Sequence, residues 1–341
     1  MARMKRLLLL FLVAQPLFAT FSIVARDPKT GQIGVAVQSH WFAVGQIVPW
    51  AEAGVGAVAT QSFVDPSYGK LGLDLMRAGK SAPDALRALV SGDASCEVRQ
   101  VGFIDAQGNV ATFTGAKDII AAGSIASNES SKEALKCGTL HVGKDFAVQA
   151  NLMANDKVWP AMAKAFAEST GDLADRMLAA LDAAQSVGGD IRGRQSAALI
   201  VVNAASSGRA WQDRVFDLRV DDHPQPLAEL RRLVSLQRAY NHMNAGDLAV
   251  EHKDNELALR EYSEAARLAS SIQGVPQSRI AEMIYWHAVA LVNMNLVDES
   301  LPLFAKAFAL EPSWRELTPR LPHSGLLPDD AKLIERIVAT R

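Results

Sequence analysis

The order in which strand-like and helix-like segments follow one another most constrains the fold of this chain. From Thr20 to about residue 225, short β-rich segments come in runs of about three, three and two, and pairs of amphipathic helices separate the runs. Such segregation favours stacked layers with antiparallel sheets over a parallel sheet in which strands and helices alternate. The strands are apolar on both faces, which is typical of sheets covered on both sides. We predict an α+β domain of four layers, α-β-β-α.

The individual segments are delimited by turn and capping residues. Asp65 and Ser81 precede the first two predicted helices, and the turn DPKTG joins the first two strands as a hairpin. The stretch from Lys117 to Lys144 carries a weak signal, and we expect a long loop or a partly helical insert there. The predicted strands read TFSIVAR, QIGVAVQS, GVGAVATQS, RQVGFI, VATFTG, FAVQANLM, QSAALIVV and RVFDLRV.

The chain becomes helical after residue 225, so we expect two domains, 20–225 and 226–341. Five positions of the second region recur 42 residues later: Gly246, Leu259, Tyr262, Ala265 and Leu268 match Ala288, Leu301, Phe304, Ala307 and Leu310. This pattern resembles tetratricopeptide-type helix pairs, although their usual period is about 34 residues. An ordinary helical bundle fits the pattern equally well. Either arrangement predicts a region that docks a protein or peptide partner.

Residues 1–19 have the pattern of a secretory signal peptide. A basic stretch up to Arg6 precedes the apolar run Leu7–Val13, and Pro16-Leu17-Phe18-Ala19 resembles a cleavage region. We therefore expect an exported, periplasmic protein that begins at Thr20 and has no membrane segment after cleavage. An uncleaved membrane anchor is the alternative.

Charge and composition narrow the classes of partner. The formal net charge of the full chain is −2, which gives no field that attracts nucleic acid. The seven histidines and two cysteines form no metal-binding motif, and we expect neither a metal nor a cofactor. Cys96 and Cys137 are candidates for a disulfide in an oxidising compartment, but their spacing leaves open whether they pair. A homo-oligomer is compatible with the sequence.

Cleavage after Ala19 makes Thr20 the candidate catalytic residue. An N-terminal threonine supplies a hydroxyl nucleophile and, in its own α-amine, a base of pKa about 7.7–8.0. The hairpin turn lies between Lys29 and Thr30, which places Thr20 opposite Ser39, with Gln38 and His40 within one residue. Ser39 is then the candidate to orient the α-amine, unless it merely ends its strand.

Five further residues are candidates for the site. Thr60-Gln61-Ser62 ends a strand, where its N–H groups suit an oxyanion hole, and Asn151 is a second candidate donor. Both amides fit a structural role equally well. Asp190, Arg192 and Arg194 enter a strand through a glycine-rich turn, and such a group binds either the terminal amine or a substrate carboxylate. An ion-pair network within the protein is the alternative.

Several long motifs carry a resemblance to a known family. TFSIVARDPKTGQIGVAVQS, VPWAEAGVGAVATQSFVDPSYG, RQVGFIDAQGNVATFTG, FAVQANLM and GGDIRGRQSAALIVV resemble the domain of unknown function 1028 (DUF1028). The resemblance covers residues 20 to about 235. It implies membership of the N-terminal-nucleophile (Ntn) hydrolase superfamily, whose α-β-β-α fold agrees with the pattern above and whose members hydrolyse amides with an N-terminal Thr, Ser or Cys.

The sequence departs from these relatives in two places. The polar stretch 117–139 is longer than the family's usual segment, so a different substrate is expected if it lines the pocket. The lysine of proteasome-like members falls at about Glu52 here, so their mechanism does not transfer whole. We expect an exported Ntn-type hydrolase acting on a small peptide, a cell-wall fragment or an acylated amine. The alternative is a non-catalytic binding module with a helical docking tail.

Overall fold

The computed structural model describes residues 19–341, and the predicted signal peptide lies outside them except for Ala19. The chain divides into two compact units, one ending at Leu230 and one spanning Arg231–Arg341. The first unit contains β1 (Thr20–Arg26), β2 (Ile33–Ser39), β3 (Pro49–Glu52), β4 (Gly56–Ser62), α1 (Ser67–Arg77), α2 (Ala82–Gly92), β5 (Arg99–Asp105), β6 (Asn109–Gly115), β7 (Gly123–Ala126), β8 (Ser131–Leu135), β9 (Gly138–Lys144), β10 (Phe146–Asn151), α3 (Val158–Glu168), α4 (Leu173–Ser186), β11 (Ser196–Val202) and β12 (Arg214–Val220).

These strands form two antiparallel sheets of six strands each. The first sheet has the order β12-β11-β2-β1-β10-β7, and the second has the order β3-β4-β5-β6-β9-β8. The sheets face each other, with α3 and α4 against the first sheet and α1 and α2 against the second. The prediction of an α+β unit with two antiparallel sheets is confirmed.

Ser81 is the N-cap of α2, as the sequence predicts, but the N-cap of α1 is Pro66 and not Asp65, whose carboxylate accepts the backbone N–H of Ser67 over 2.9 Å. The Ser81 hydroxyl accepts a hydrogen bond from the backbone N–H of Asp84 at the start of α2, and the Asp172 carboxylate does the same for Asp175 at the start of α4. Each bond satisfies a backbone donor that the first turn of a helix leaves unpaired.

The expectation for residues 117–144 was wrong. Instead of a long loop or helical insert, this stretch contains β7, β8 and β9. Most residues of β8 are exposed or half-buried, because it is an edge strand, so they lack the apolar alternation that marks a buried strand. A disulfide joins Cys96 to Cys137, which lies in the turn between β8 and β9. The pairing that the sequence left open is therefore present.

Alternation along the strands gives the space between the sheets two different halves. One half is apolar and contains Val24, Val35, Val37, Ala59 and Ile104. The other half is lined by buried polar side chains, namely Thr20, Ser22, Ser39, Gln61, Gln100, Thr112, Gln149 and Asn151. Buried polar groups are costly unless they are hydrogen-bonded, so this half must be a connected network.

The remainder of the chain is helical. It contains α5 (Pro226–Glu251), α6 (Asn255–Ser271), α7 (Gln277–Asn293), α8 (Val297–Leu310), the short α9 (Ser313–Leu317) and α10 (Ala331–Val338). The positions that recur at 42 residues lie on corresponding elements: Gly246 on α5 and Ala288 on α7, then Tyr262 on α6 and Phe304 on α8. Tyr285 and Phe304 are fully buried and pack edge to face in the core of this unit.

Candidate functional site

Thr20 begins the strand that lies between β2 and β10. It pairs with Ser39 on β2 and with Asn151 on β10, so the predicted register of the first hairpin is confirmed. The Thr20 hydroxyl donates to the Ser39 hydroxyl over 3.0 Å, and both residues are fully buried. Gln38, one of the two alternatives, pairs with Phe21 in this register, and its amide donates to Gln185.

The carbonyl oxygen of Ala19 is held by two donors. It accepts a hydrogen bond from the Ser39 hydroxyl over 2.5 Å and another from Nη2 of Arg192 over 2.9 Å. Here the Ala19–Thr20 peptide bond is intact, so this carbonyl occupies the position of an acyl group bonded to the Thr20 nitrogen. Two donors on one carbonyl oxygen, beside a threonine hydroxyl, are the arrangement that stabilises an oxyanion.

Asp190 holds Arg192 in this position. The Asp190 carboxylate pairs with Nη2 of Arg192 over 3.0 Å and accepts a second bond from Nε over 3.1 Å. Its side chain has no exposed surface, and it also accepts the backbone N–H of His40, the other alternative beside Ser39. Arg194 bonds elsewhere, because its guanidinium donates to Gln225 over 2.6 Å. Of the three charged candidates in this turn, the structure brings Asp190 and Arg192 to Ala19.

Gln61 and Asn151 reach the site through a shared glutamine. The Gln61 amide donates to the Thr20 backbone carbonyl over 2.9 Å and to Oε1 of Gln100 over 2.7 Å. Asn151 donates to the same Oε1 over 3.0 Å. Both predicted amides thus support the start of β1 and connect the two sheets, whereas Ser39 and Arg192 contact the Ala19 carbonyl.

Sequence reasoning missed Gln100, which joins Gln61 to Asn151. Its own amide donates to the Thr114 hydroxyl over 3.1 Å and to the Ala150 carbonyl over 3.0 Å. A signal was present, because Gln100 is the only polar residue between Arg99 and Asp105 and alternates with residues that face the helices. A polar residue at an inward position of a buried strand indicates a network partner.

Sequence reasoning also missed Asp118, in the segment that crosses from β6 in one sheet to β7 in the other. Oδ1 of Asp118 accepts the Ser62 hydroxyl over 2.6 Å, while the buried Oδ2 has no partner among residues 19–341. Burial raises the pKa of this carboxyl to about 7. Ser62 follows Gln61 and adopts a positive φ of 71°. No local motif marks Asp118, since its burial depends on the crossing of the two sheets.

Residues 19–341 contain neither a cluster of metal ligands nor a helix that could span a membrane. These residues contain no group of three or more His, Cys, Asp or Glu side chains arranged to hold a metal ion. Every helix in the same range is too short or too polar to cross a bilayer.

Comparison with known proteins shows the family of this chain. Residues 20–230 match the family of unknown function DUF1028. The chain belongs to DUF1028. The fold is similar to the crystal structure of a DUF1028 protein from Silicibacter pomeroyi, with 30% sequence identity and a TM-score of 0.51. The match covers 63% of this chain and 87% of that one. None of the curated proteins compared matches this chain.

Proposed function

We propose that the protein is an exported, periplasmic Ntn-type amidohydrolase whose nucleophile is Thr20, freed by cleavage after Ala19. One observation carries the proposal: Ser39 and Arg192 both donate hydrogen bonds to the Ala19 carbonyl oxygen, next to the Thr20 hydroxyl. Two facing antiparallel sheets with helices on their outer sides support the assignment to the Ntn superfamily.

The reaction follows from the position of these groups. Once the Ala19–Thr20 bond is cut, the carbonyl oxygen of an amide substrate takes the position of the Ala19 carbonyl oxygen, with the carbonyl carbon beside Oγ1 of Thr20. The Thr20 α-amine accepts the hydroxyl proton as Oγ1 attacks the carbonyl carbon, and Ser39 and Arg192 donate to the oxyanion. The C–N bond of the substrate breaks, and the leaving amine takes the proton from the α-amine. Water then attacks the ester on Oγ1, which releases the acid and restores the hydroxyl.

The buried amides serve this reaction by holding β1 in place. Gln61 fixes the Thr20 carbonyl, and Gln100 fixes Gln61 and Asn151 at once. Because every one of these groups is at most 1% exposed, they are pre-organised before a substrate binds.

The helical unit is proposed to dock a peptide segment, as in tetratricopeptide-type helix pairs. A cavity of about 390 Å³ opens on this unit between α5, α6 and α7. Its lining combines Met243, Val289 and Trp286 with the carboxylates of Asp247 and Glu251. An apolar wall with two acidic groups suits a peptide that carries a basic side chain.

The test starts from the N-terminal residue of the protein recovered from the exported fraction. We expect Thr20 first, amide hydrolysis by that form, and an acyl-enzyme heavier than the protein by the mass of the acyl group. Thr20→Ala is expected to lower kcat at least about 10³-fold, whereas Thr20→Ser retains measurable turnover. If the functional protein retains residues 1–19, or if Thr20→Ala leaves its function unchanged, the protein is a binding module and not a hydrolase that uses Thr20.

A further inference from the structure

Three large hydrophobic side chains are exposed on segments next to Thr20. Phe42 is 62% exposed, Ile120 is 90% exposed and Ile191 is 62% exposed. We call these three residues the apolar rim. A lone exposed hydrophobic residue needs no explanation, but a group of them around a buried reactive residue indicates a binding surface.

Backbone connections attach all three segments to the end of the sandwich where Thr20 lies. Leu152 follows Asn151, the register partner of Thr20. The Leu152 N–H donates to the Ile119 carbonyl over 3.1 Å, and the Leu152 carbonyl accepts the Ile191 N–H over 3.4 Å. Ile120 and Ile191 are therefore on the two segments that flank Leu152.

The remaining member of the rim follows the other register partner of Thr20. Phe42 is three residues beyond Ser39, where β2 ends. Ile191 is also the residue between Asp190 and Arg192, whose guanidinium contacts the Ala19 carbonyl. The segments that carry the apolar rim thus lie next to the strand ends that pair with Thr20.

The guanidinium beside this position has a carboxylate partner. Arg192, which contacts the Ala19 carbonyl, is paired with the fully buried Asp190 carboxylate at 3.0 Å. An acidic acyl group would bring a second carboxylate close to the buried Asp190 carboxylate and would lose its own hydration. The alternative in which this turn binds a substrate carboxylate is thereby disfavoured.

The sequence on the acyl side of the Ala19–Thr20 bond is also apolar. The residues whose acyl end is the Ala19 carbonyl read Pro16-Leu17-Phe18-Ala19, and the Ala19 side chain is fully buried. The amide that occupies the site in the uncut chain therefore carries apolar groups on its acyl side.

We propose that the apolar rim receives the acyl part of the substrate, so that the enzyme hydrolyses amides of apolar carboxylic acids. This inference rests on the proposed function and names its substrate class. Amides with an acyl chain of several carbons are substrates, whereas amides of dicarboxylic acids are poor ones. Each methylene of the acyl chain that is buried against the apolar rim raises kcat/KM about threefold.

The test uses protein that begins at Thr20 and four p-nitroanilides, with acetyl, butyryl, hexanoyl and glutaryl groups. We expect kcat/KM for the hexanoyl compound to exceed that for the acetyl compound by roughly 80-fold, and the glutaryl compound to be hydrolysed slowest relative to its length. In the double variant Ile120→Ser, Ile191→Ser the hexanoyl-to-acetyl ratio is expected to fall about tenfold. Leu71→Ser is the matched control, because Leu71 is 46% exposed but lies on α1; there the ratio is expected to remain.

A second readout separates this inference from the proposed function. Thr20→Ala protein is titrated with hexanoyl anilide and acetyl anilide, and binding is followed by calorimetry. One outcome separates the two proposals: no anilide is hydrolysed, the hexanoyl compound binds more tightly than the acetyl compound, and the double variant removes that preference. In that case the hydrolase proposal fails, whereas the proposal that the apolar rim binds an apolar acyl group is supported. A hexanoyl-to-acetyl ratio near one, a preference for the glutaryl compound, or a ratio that the double variant leaves unchanged overturns the rim.

Discussion

At the scale of single residues, the site depends on a short series of buried hydrogen bonds. Thr20 donates to Ser39, and Ser39 donates to the Ala19 carbonyl, which Arg192 also contacts. Each group is placed by another that is also buried, so removal of one leaves a polar partner unsatisfied. Substitutions here are expected to affect turnover more than substrate affinity.

Arg192→Gln tests the oxyanion role directly. The shorter amide cannot reach the carbonyl that the guanidinium contacts, so kcat is expected to fall about 10²- to 10³-fold with little change in KM. Arg194→Gln is the comparison, because Arg194 bonds to Gln225 instead, and it is expected to stay within about twofold of the parent. Steady-state kinetics on a single amide substrate measure both. Equal losses in the two variants would place the whole turn, and not Arg192, at the site.

Asp118→Asn tests the buried carboxyl. Burial raises the pKa of Asp118 to about 7 in the folded protein, above the ordinary value of 3.8 that applies when the chain is unfolded. Between these values the folded state holds a proton that the unfolded state has lost, so the stability contributed by this group is full below about pH 4 and is lost as the pH rises to about 7. Asparagine stays neutral throughout. The variant is expected to match the parent near pH 4 and to exceed its free energy of unfolding by about 4 kcal/mol at pH 8.

Urea unfolding at pH 4, 6 and 8 measures this difference. The exposed Asp156 provides the control, since Asp156→Asn is expected to change the free energy of unfolding by less than about 0.5 kcal/mol at each pH. An Asp118→Asn variant that is less stable than the parent at pH 8 would mean that the charged carboxylate is favoured in the folded protein.

At the scale of elements, α1 lies close to its sheet because two glycines face it. A Cβ on Gly69 would meet the Trp50 ring at 2.4 Å, and one on Gly72 would meet the Phe103 ring at the same distance. These glycines are three residues apart and so lie on one side of the helix. Their lack of a side chain, and not backbone flexibility, is what the packing requires.

Gly72→Ala is therefore expected to destabilise the protein by about 2 kcal/mol. Alanine favours a helix by about 1 kcal/mol over glycine, but the Phe103 ring is fully buried and has no room to move away. Gly92→Ala is the matched control, because a Cβ there meets nothing within 4 Å, and it is expected to be neutral or slightly stabilising. Urea unfolding compares the two. A stabilised Gly72→Ala variant would show that helix propensity outweighs the contact.

At the scale of the whole molecule, each of the two compact units has its own core. Val35 and Ile104 belong to the core between the sheets, whereas Tyr285 and Phe304 belong to that of the helical unit. A unit with its own buried core is able to fold alone. The residues of the proposed site, from Ala19 to Arg192, all belong to the unit that ends at Leu230.

A chain limited to residues 20–230 is expected to fold and to hydrolyse the same amides within about threefold of the full protein. Calorimetry is expected to show one unfolding transition for this fragment, and circular dichroism a lower helical content than that of the full chain. Loss of the transition would show that the helical unit is needed for folding. A folded fragment without activity would assign the helices a part in substrate binding.

Features that depend on neighbouring residues could be predicted from the sequence. Strand alternation, the helix cap at Ser81, and the pairing of Thr20 with Ser39 all follow from contiguous segments and one turn. The turn predicts the register because each residue added to one strand is matched by one on the other. These are local constraints, which a single sequence contains in full.

Contacts between polar groups of distant segments could not be predicted from the sequence. Gln61 bonds to Gln100 across two neighbouring strands, Asn151 reaches Gln100 from the other sheet, and Arg192 reaches Ala19 across 173 residues of chain. Arg192 and Arg194 look alike in sequence, but they bond to different residues. The edge strand β8 has no alternation of buried and exposed residues by which the sequence could reveal it. The disulfide depends on the position of the turn between β8 and β9, which brings Cys137 to Cys96. Contacts between distant segments depend on how whole sheets pack, which no local pattern encodes.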